Sequence, residues 1–188
     1  MEDIKKIEKK IHKMTKNGDI QHAIEYCQSL LLKEPADTNL HIRLGDLYLD
    51  WHLDVYQAKQ YIDEAITEYQ KAAEVLIDNG EIYYKIGLAL YHKGELDKAI
   101  NYFNIAIDKK ANASQCNYMI ANCLKKKDRY QDALIRLDEA LKTCFLNSSR
   151  IHYLKSRLLS TLYFTDKKKK ALALCSLMLS YLTLPFDK

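Results

Sequence analysis

Apolar residues recur at intervals of three and four through almost the whole chain, a spacing that places them on one face of an α-helix. Residues 80–113 contain two such runs, IYYKIGLALYH and LDKAINYFNIAI, and the short stretch between them includes Gly94. Glycine commonly follows the last turn of a helix, because it adopts a left-handed backbone conformation without strain. The pattern therefore predicts two helices that are joined by a tight turn at Gly94.

Composition extends this prediction to the rest of the chain. The 188 residues are 48% hydrophobic and 29% charged, which is enough for one globular domain with a core. Only two prolines and five glycines are present, too few for the many tight turns of a sheet-rich protein. We expect an all-helical chain.

The helical pattern repeats every 34 residues. With Gly80 as position 1, small residues stand at positions 8, 20 and 27, which are Gly87, Ala99 and Ala106. Residues 114–147 place Ala121, Ala133 and Ala140 at the same positions, and residues 4–37 match well in their second half. A period of this length is typical of repeat proteins in which each repeat is one supersecondary unit.

This pattern resembles the tetratricopeptide repeat, most specifically in YYKIGLALYHKGELDKAINYFNIAI. The resemblance implies an all-α solenoid, in which antiparallel helix pairs stack into a right-handed superhelix and the first helix of each pair lines a concave face. We interpret the chain as a single domain of about five repeats, which span residues 4–37, 38–79, 80–113, 114–147 and 148–188. The small residues are then positions where two helices approach closely, since a larger side chain would overpack the contact.

Repeat two is eight residues too long. Gly45 and Ala65 are 20 residues apart, whereas Gly87 and Ala99 are 12 apart. The extra residues fall in LDWHLDVYQAKQYID, where we expect Asp54 to cap a second helix. The only tryptophan, Trp51, either packs the two lengthened helices together or contacts a partner.

The last repeat is degenerate and ends in an apolar segment, ALALCSLMLSYLTL. Apolar residues stand on nearly every face of the helix that this segment predicts, and it is too short to span a bilayer of about 30 Å. We therefore expect Leu177 and Leu184 to contact a second copy of the protein or a partner.

The resemblance places function on the concave face, at positions 2, 5, 6, 9, 12 and 13 of each first helix. The partner-binding residues predicted there are Arg43, Tyr84, Lys85, Tyr91, His92, Tyr118, Asn122, Lys125, Lys126, His152 and Tyr153, and Asp46 and Leu88 lie in the same rows. This mixture of tyrosine, lysine and histidine suits a peptide with carboxylates and apolar side chains. The alternative is a solvated surface without a ligand. The family's clamp for a C-terminal carboxylate is not matched, because Asp46 replaces its asparagine.

The remaining residues narrow the class of function. The six histidines are dispersed, and no phosphate loop or nucleophile motif occurs, so we predict no catalytic residue, no metal and no cofactor. The five cysteines lack metal-site spacing and are read as buried thiols in a cytoplasmic protein. A net charge of +4, carried mostly by lysine, does not indicate nucleic acid. The sequence thus predicts a non-enzymatic interaction scaffold or adaptor; the alternative is a self-assembling subunit or a chaperone that uses its apolar C-terminal segment.

Overall fold

The computed structural model describes residues 4–54, 60–144 and 148–165. These ranges hold nine α-helices and contain no strand. The helices are α1 Ile4–Lys16, α2 Ile20–Leu31, α3 Thr38–Asp54, α4 Gln60–Val75, α5 Gly80–Lys93, α6 Leu96–Asp108, α7 Ala113–Lys126, α8 Tyr130–Lys142 and α9 Ser149–Thr165. The all-helical prediction is therefore confirmed for the part of the chain that the structure describes.

The chain divides into two compact units, an amino-terminal unit over Met1–Glu95 and a carboxy-terminal unit over Leu96–Lys188. In the amino-terminal unit each helix from α1 to α5 packs on the next one along the chain. In the carboxy-terminal unit α6 packs on α7, α7 on α8 and α8 on α9. The assignment of all 188 residues to one domain stays a prediction.

Position 20 of the repeat is alanine throughout repeats one to four. These four alanines are fully buried, and they are Ala23, Ala65, Ala99 and Ala133. Position 24 is fully buried as well, although its residue type changes from Cys27 to Tyr69, Phe103 and Leu137. A small side chain thus stands one helical turn from a buried residue of variable size, and the pair keeps the second helix of each repeat against the core.

Gly45 shows why position 8 requires a small residue. A Cβ atom built on Gly45 would lie 2.6 Å from Cε1 of the Tyr69 ring, closer than any ordinary contact between carbon atoms. The ring of Tyr69 is fully buried and has no room to move away. Gly45 is therefore required by the close approach of α3 and α4.

The turn after the first helix has a left-handed residue at position 15. Gly94 has φ 92°, which confirms the tight turn predicted there, and Gly18 has φ 80° at the same position of repeat one. Open space surrounds both positions, and it is the backbone conformation that favours glycine. In repeat four the same position is Asp128, with φ 58°. Aspartate tolerates this conformation better than most residues.

Three of the first helices begin with the same kind of cap. Asn79 accepts a hydrogen bond from the Glu81 amide at 3.1 Å, and Asn112 accepts one from the Gln115 amide at 3.1 Å. At the start of α3, Asp37 accepts from the amides of residues 39 and 40. Each cap satisfies amides that have no partner within the helix, which fixes where the helix begins.

The long hairpin of repeat two differs from the sequence-based expectation. Asp54 was expected to cap the second helix, but it is the last residue of α3, and α4 begins at Gln60. The prediction was wrong because the helical pattern of LYLDWHLD continues through Asp54 without a residue that would end a helix. With 17 and 16 residues, α3 and α4 are each three residues longer than α5 and α6, or about 4.5 Å at 1.5 Å per residue.

No helix of the described residues is long and apolar enough to cross a membrane. Leu177 and Leu184, in the apolar segment near the C-terminus, lie outside the described residues.

Candidate protein-interaction surface

Asp46 joins three helices of the amino-terminal unit. Its carboxylate on α3 accepts a hydrogen bond from the Tyr69 hydroxyl of α4 at 2.8 Å and one from the Lys85 ammonium of α5 at 2.6 Å. The Lys85 and Asp46 side chains are about one quarter exposed, while Tyr69 is fully buried. Asp46 and Lys85, which both lie in the predicted binding rows, thus form bonds within the amino-terminal unit.

Burial determines the protonation state of the Tyr69 hydroxyl. Removal from water raises the pKa of the Tyr69 hydroxyl far above its usual value, and the Asp46 carboxylate beside it raises the pKa further. Tyr69 therefore stays a neutral hydrogen-bond donor. The Lys85 ammonium also lies 5.9 Å from the centroid of the Tyr69 ring, on which it can make a cation–π contact.

The other predicted residues of α3 and α5 differ in exposure. Arg43 is half-buried. Burial raises the pKa of Cys27, and the positive charge of Arg43 opposes that shift. Tyr91 and His92 are half-buried, with ring centroids 5.4 Å apart in an edge-to-face arrangement. Tyr84 is only 9% exposed, so most of its ring is part of the packed interior and not of a contact surface.

The carboxy-terminal unit presents a second row on α7. Tyr118, Asn122 and Lys125 are half-buried, and Lys126 is exposed. The Asn122 side-chain amide donates a hydrogen bond to the Tyr118 carbonyl at 3.0 Å, one turn earlier in the same helix. This row combines one aromatic ring, one amide and two ammonium groups.

On α9, His152 is half-buried and Tyr153 is 59% exposed. The Arg157 guanidinium lies 5.7 Å from the centroid of the Tyr153 ring. An exposed aromatic ring that is held by a neighbouring cation is suited to contact with a partner, because aromatic and arginine side chains carry much of the binding energy in protein interfaces.

Trp51 packs within the long hairpin. Its ring centroid lies 5.4 Å from that of Tyr61 on α4, and Tyr61 in turn stacks on Tyr48 of α3 at 5.8 Å. The Tyr48 hydroxyl accepts a hydrogen bond from Gln28 of α2 at 2.9 Å. Trp51 therefore makes the contact expected of a residue that holds α3 and α4 together. Its role toward a partner stays a prediction.

A cavity of about 560 Å³ is lined by residues of α2, α3 and α4 and of the turn between α2 and α3. His41 stands at its wall, with one ring nitrogen 2.5 Å from the Glu68 carboxylate and the other 2.9 Å from the Pro35 carbonyl. Glu68 also accepts from Lys71 at 2.8 Å. These contacts satisfy both ring nitrogens of His41 and connect α3 with α4 and the preceding turn.

Of the four cysteines that the structure describes, three are buried, whereas Cys144 is half-buried, which differs from the expectation that every thiol is buried. Cys27, Cys116 and Cys123 are fully buried, and burial raises the pKa of Cys27 and of Cys123 to about 11. Among the described residues there is no cluster of histidine, cysteine and carboxylate side chains that could hold a metal ion.

The ion pair between Asp46 and Lys85 was not anticipated, although the sequence carries a signal for it. Asp46 is at position 9 of repeat two and Lys85 at position 6 of repeat three. The family's carboxylate clamp also uses these two positions, so residues there lie close together in space. An acid and a base at such positions indicate a pair between repeats.

Comparison with known proteins agrees with this architecture. The family model described as "Tetratricopeptide repeat" matches residues 53–114. MamA from Desulfovibrio magneticus RS-1, residue 41 to the end, superimposes with a TM-score of 0.75 at 12% identity, over 96% of each chain. YrrB, described as "a TPR protein with an unusual peptide-binding site", gives a TM-score of 0.64 at 16% identity, over 94% of this chain and 84% of YrrB.

A curated relative matches part of the sequence. The "Probable UDP-N-acetylglucosamine--peptide N-acetylglucosaminyltransferase SEC" of Arabidopsis thaliana is 29% identical over 96 residues. The match covers 51% of this chain, which spans only 9% of the length of that protein.

The helix pairs and the structural neighbours define an all-α repeat solenoid. Residues 53–114 match the tetratricopeptide-repeat family, and the fold of the described helices is the one that the sequence pattern predicted. Proteins with this fold commonly bind other proteins or peptides.

Proposed function

We propose that this protein is a non-enzymatic interaction scaffold that binds an extended or helical segment of a partner through its first helices. The observation that carries the proposal is the row on α7, where Tyr118, Asn122 and Lys125 are half-buried and Lys126 is exposed. Half-buried aromatic and cationic side chains are already partly ordered, so they lose less conformational entropy when a partner binds. The peptide-binding neighbour YrrB supports this proposal at the level of the fold.

The proposed ligand is a peptide that carries carboxylates and apolar side chains. Lys125 and Lys126 would attract the carboxylates, and Tyr118 would pack on an apolar residue. Tyr153 on α9 adds an exposed ring in the same unit. Arg43, Tyr91 and His92 would make corresponding contacts in the amino-terminal unit. Lys85 is less available there, because it is already bonded to Asp46.

The transferase activity that the name of the Arabidopsis relative gives belongs to that protein. The aligned part is only 9% of the length of that protein. We therefore attribute no glycosyl transfer to this chain. We also propose that the protein is located in the cytoplasm.

The test is affinity capture from a lysate with the purified chain, followed by mass spectrometry. The binding variant changes Tyr118→Ala with Lys125→Glu on α7. The matched control makes the same chemical changes on the second helix α6, as Tyr102→Ala with Lys98→Glu. Proteins that the natural chain and the control capture, and that the α7 variant loses by tenfold or more, support the proposal. Equal capture by both variants would contradict it.

A further inference from the structure

The first helix carries an unusual concentration of positive charge. Among its 13 residues α1 has one acidic residue, Glu8, and six lysines, which are Lys5, Lys6, Lys9, Lys10, Lys13 and Lys16. No other described helix has more than three lysines and arginines together. The whole chain has a net charge of only +4, so the excess is local to α1.

These lysines form one continuous surface, which we call the lysine face. At 100° per residue the six side chains fall within an arc of about 140°. All six are exposed, and they stand opposite Ile7, Ile11 and Met14. Ile11 is only 2% exposed, because this apolar stripe packs on α2. From Lys5 to Lys16 the lysine face is about 16 Å long at 1.5 Å per residue.

The arrangement works against the stability of the helix. Lys5 and Lys9, Lys6 and Lys10, and Lys9 and Lys13 are like charges four residues apart, which repel one another on a helix. The described helix has no acidic residue in its first turn, so Lys5 and Lys6 face the positive end of the helix dipole. A surface that served solubility alone would be better made from both signs of charge.

Most of these lysines form no ion pair within the described part of the chain. In the ranges that the structure describes, Lys6, Lys9, Lys13 and Lys16 take part in no ion pair. Lys10 lies 3.9 Å from the centroid of the Tyr26 ring on α2, a contact that helps to hold α1 in place. Lys6, Lys9, Lys13 and Lys16 therefore present four exposed ammonium groups that form no ion pair in the described part of the chain.

We propose that the lysine face docks an acidic segment of a partner protein, at a site separate from the rows on the other first helices. An extended peptide needs about five residues to span its length. An anionic membrane fits less well, because a helix that lies on a bilayer inserts its apolar side, and here that side is packed on α2. Nucleic acid fits less well, because the lysine face has neither arginine nor an aromatic ring on which a base could stack.

The experiment uses the full chain and a fluorescein-labelled peptide that contains a run of six glutamate and aspartate residues. Fluorescence anisotropy should show saturable binding that weakens as salt is raised from 50 to 300 mM. The triple variant Lys6→Gln, Lys9→Gln, Lys13→Gln should bind at least tenfold more weakly. Its melting temperature should be unchanged or higher, since glutamine keeps the helix propensity and removes the repulsion.

Two controls make the result specific. The variant Lys33→Gln, Lys98→Gln, Lys142→Gln loses the same total charge elsewhere and should bind the peptide like the natural chain. Vesicles with 30% phosphatidylserine and a single-stranded oligonucleotide of six phosphates serve as competing polyanions. Equal loss of binding in both triple variants would overturn the proposal, as would the absence of peptide binding at 100 mM salt. Tighter binding to the vesicles or to the oligonucleotide than to the peptide would also overturn it.

Discussion

The Lys85 ammonium lies 2.6 Å from the Asp46 carboxylate, although the two residues are 39 positions apart in the sequence. Asp46 is also the acceptor for the buried Tyr69 hydroxyl. Replacement of Asp46 by alanine would leave that hydroxyl without its partner. We expect Asp46→Ala to lower the free energy of unfolding by about 1–3 kcal/mol. Lys85→Met should cost about 1 kcal/mol or less, because a partly exposed ion pair is screened by solvent.

Urea denaturation followed by circular dichroism measures both changes. Tyr83→Phe is a useful control, because its hydroxyl donates to the Ile77 carbonyl at an exposed site and its loss should cost little. If Asp46→Ala were as stable as Tyr83→Phe, the proposed role of Asp46 as the junction of α3, α4 and α5 would be wrong.

The contact between Gly45 and Tyr69 predicts a second stability change. Gly45→Ala would place a Cβ atom 2.6 Å from the Tyr69 ring, and we expect a loss of about 1–3 kcal/mol from overpacking. Gly94→Ala meets open space but is strained by its left-handed backbone, at a cost of about 1–2 kcal/mol. Thermal unfolding of the double variant Gly45→Ala with Tyr69→Leu tests whether the Tyr69 ring causes the loss at Gly45. Gly45→Ala should destabilise the Tyr69→Leu protein less than it destabilises the natural chain, because leucine is smaller than the ring. An equal loss in both backgrounds would exclude the ring contact as its origin.

The aromatic contacts of Trp51 predict a change in stability that urea denaturation followed by circular dichroism can measure. Trp51→Ala should destabilise the hairpin of repeat two by about 1–3 kcal/mol, less than for a fully buried tryptophan, because the ring is only half-buried. Trp51→Phe should retain most of the stability, since a ring remains against Tyr61. Normal stability of Trp51→Ala would instead favour the partner-contact alternative.

The buried cysteines predict resistance to alkylation. Burial raises the pKa of Cys27 and of Cys123 to about 11, so both remain neutral thiols near pH 8. Iodoacetamide at pH 8 should leave both residues unmodified in the folded chain and should modify them in 6 M guanidinium chloride. Peptide mass spectrometry identifies each site. Rapid labelling of Cys27 in the folded protein would contradict the packing of α2 on α3.

His22 predicts a pH effect with a definite sign. A hydrogen bond to Asp19, together with the charge of that carboxylate, raises the pKa of His22 above its ordinary value of 6.5. The interaction therefore adds stability that is fully present below pH 6.5 and is lost as the pH rises through the folded-state pKa. An NMR titration of the imidazole should give a midpoint above 6.5, and Asp19→Asn should lower it. A midpoint at or below 6.5 in the natural chain would show that the pair does not form in solution.

The repeat could be predicted from the sequence, because the spacing of apolar and small residues can be read within a short segment and does not depend on distant contacts. The alanines at position 20 and the left-handed turn at Gly94 are where the pattern placed them. Local capping signals were less reliable. Asp54 has the chemistry of a helix cap, but it lies at the end of α3, since nothing before it interrupts the helical pattern.

The candidate site was harder to predict than the fold. A register position tells on which side of a helix a residue stands, but not how deeply a long side chain is packed. Tyr84 was expected on the binding surface and is only 9% exposed. Lys85 was expected to be available to a ligand and is bonded to Asp46. Both outcomes depend on neighbouring helices that are distant in the sequence.

Hydrogen–deuterium exchange of the chain with and without a captured partner segment tests the central claim most directly. Binding through the first helices predicts slower exchange in peptides from α7 and α9, with little change in α6 and α8. Slower exchange confined to α6 and α8 would contradict the account, because the partner would then bind the second helices of the repeats.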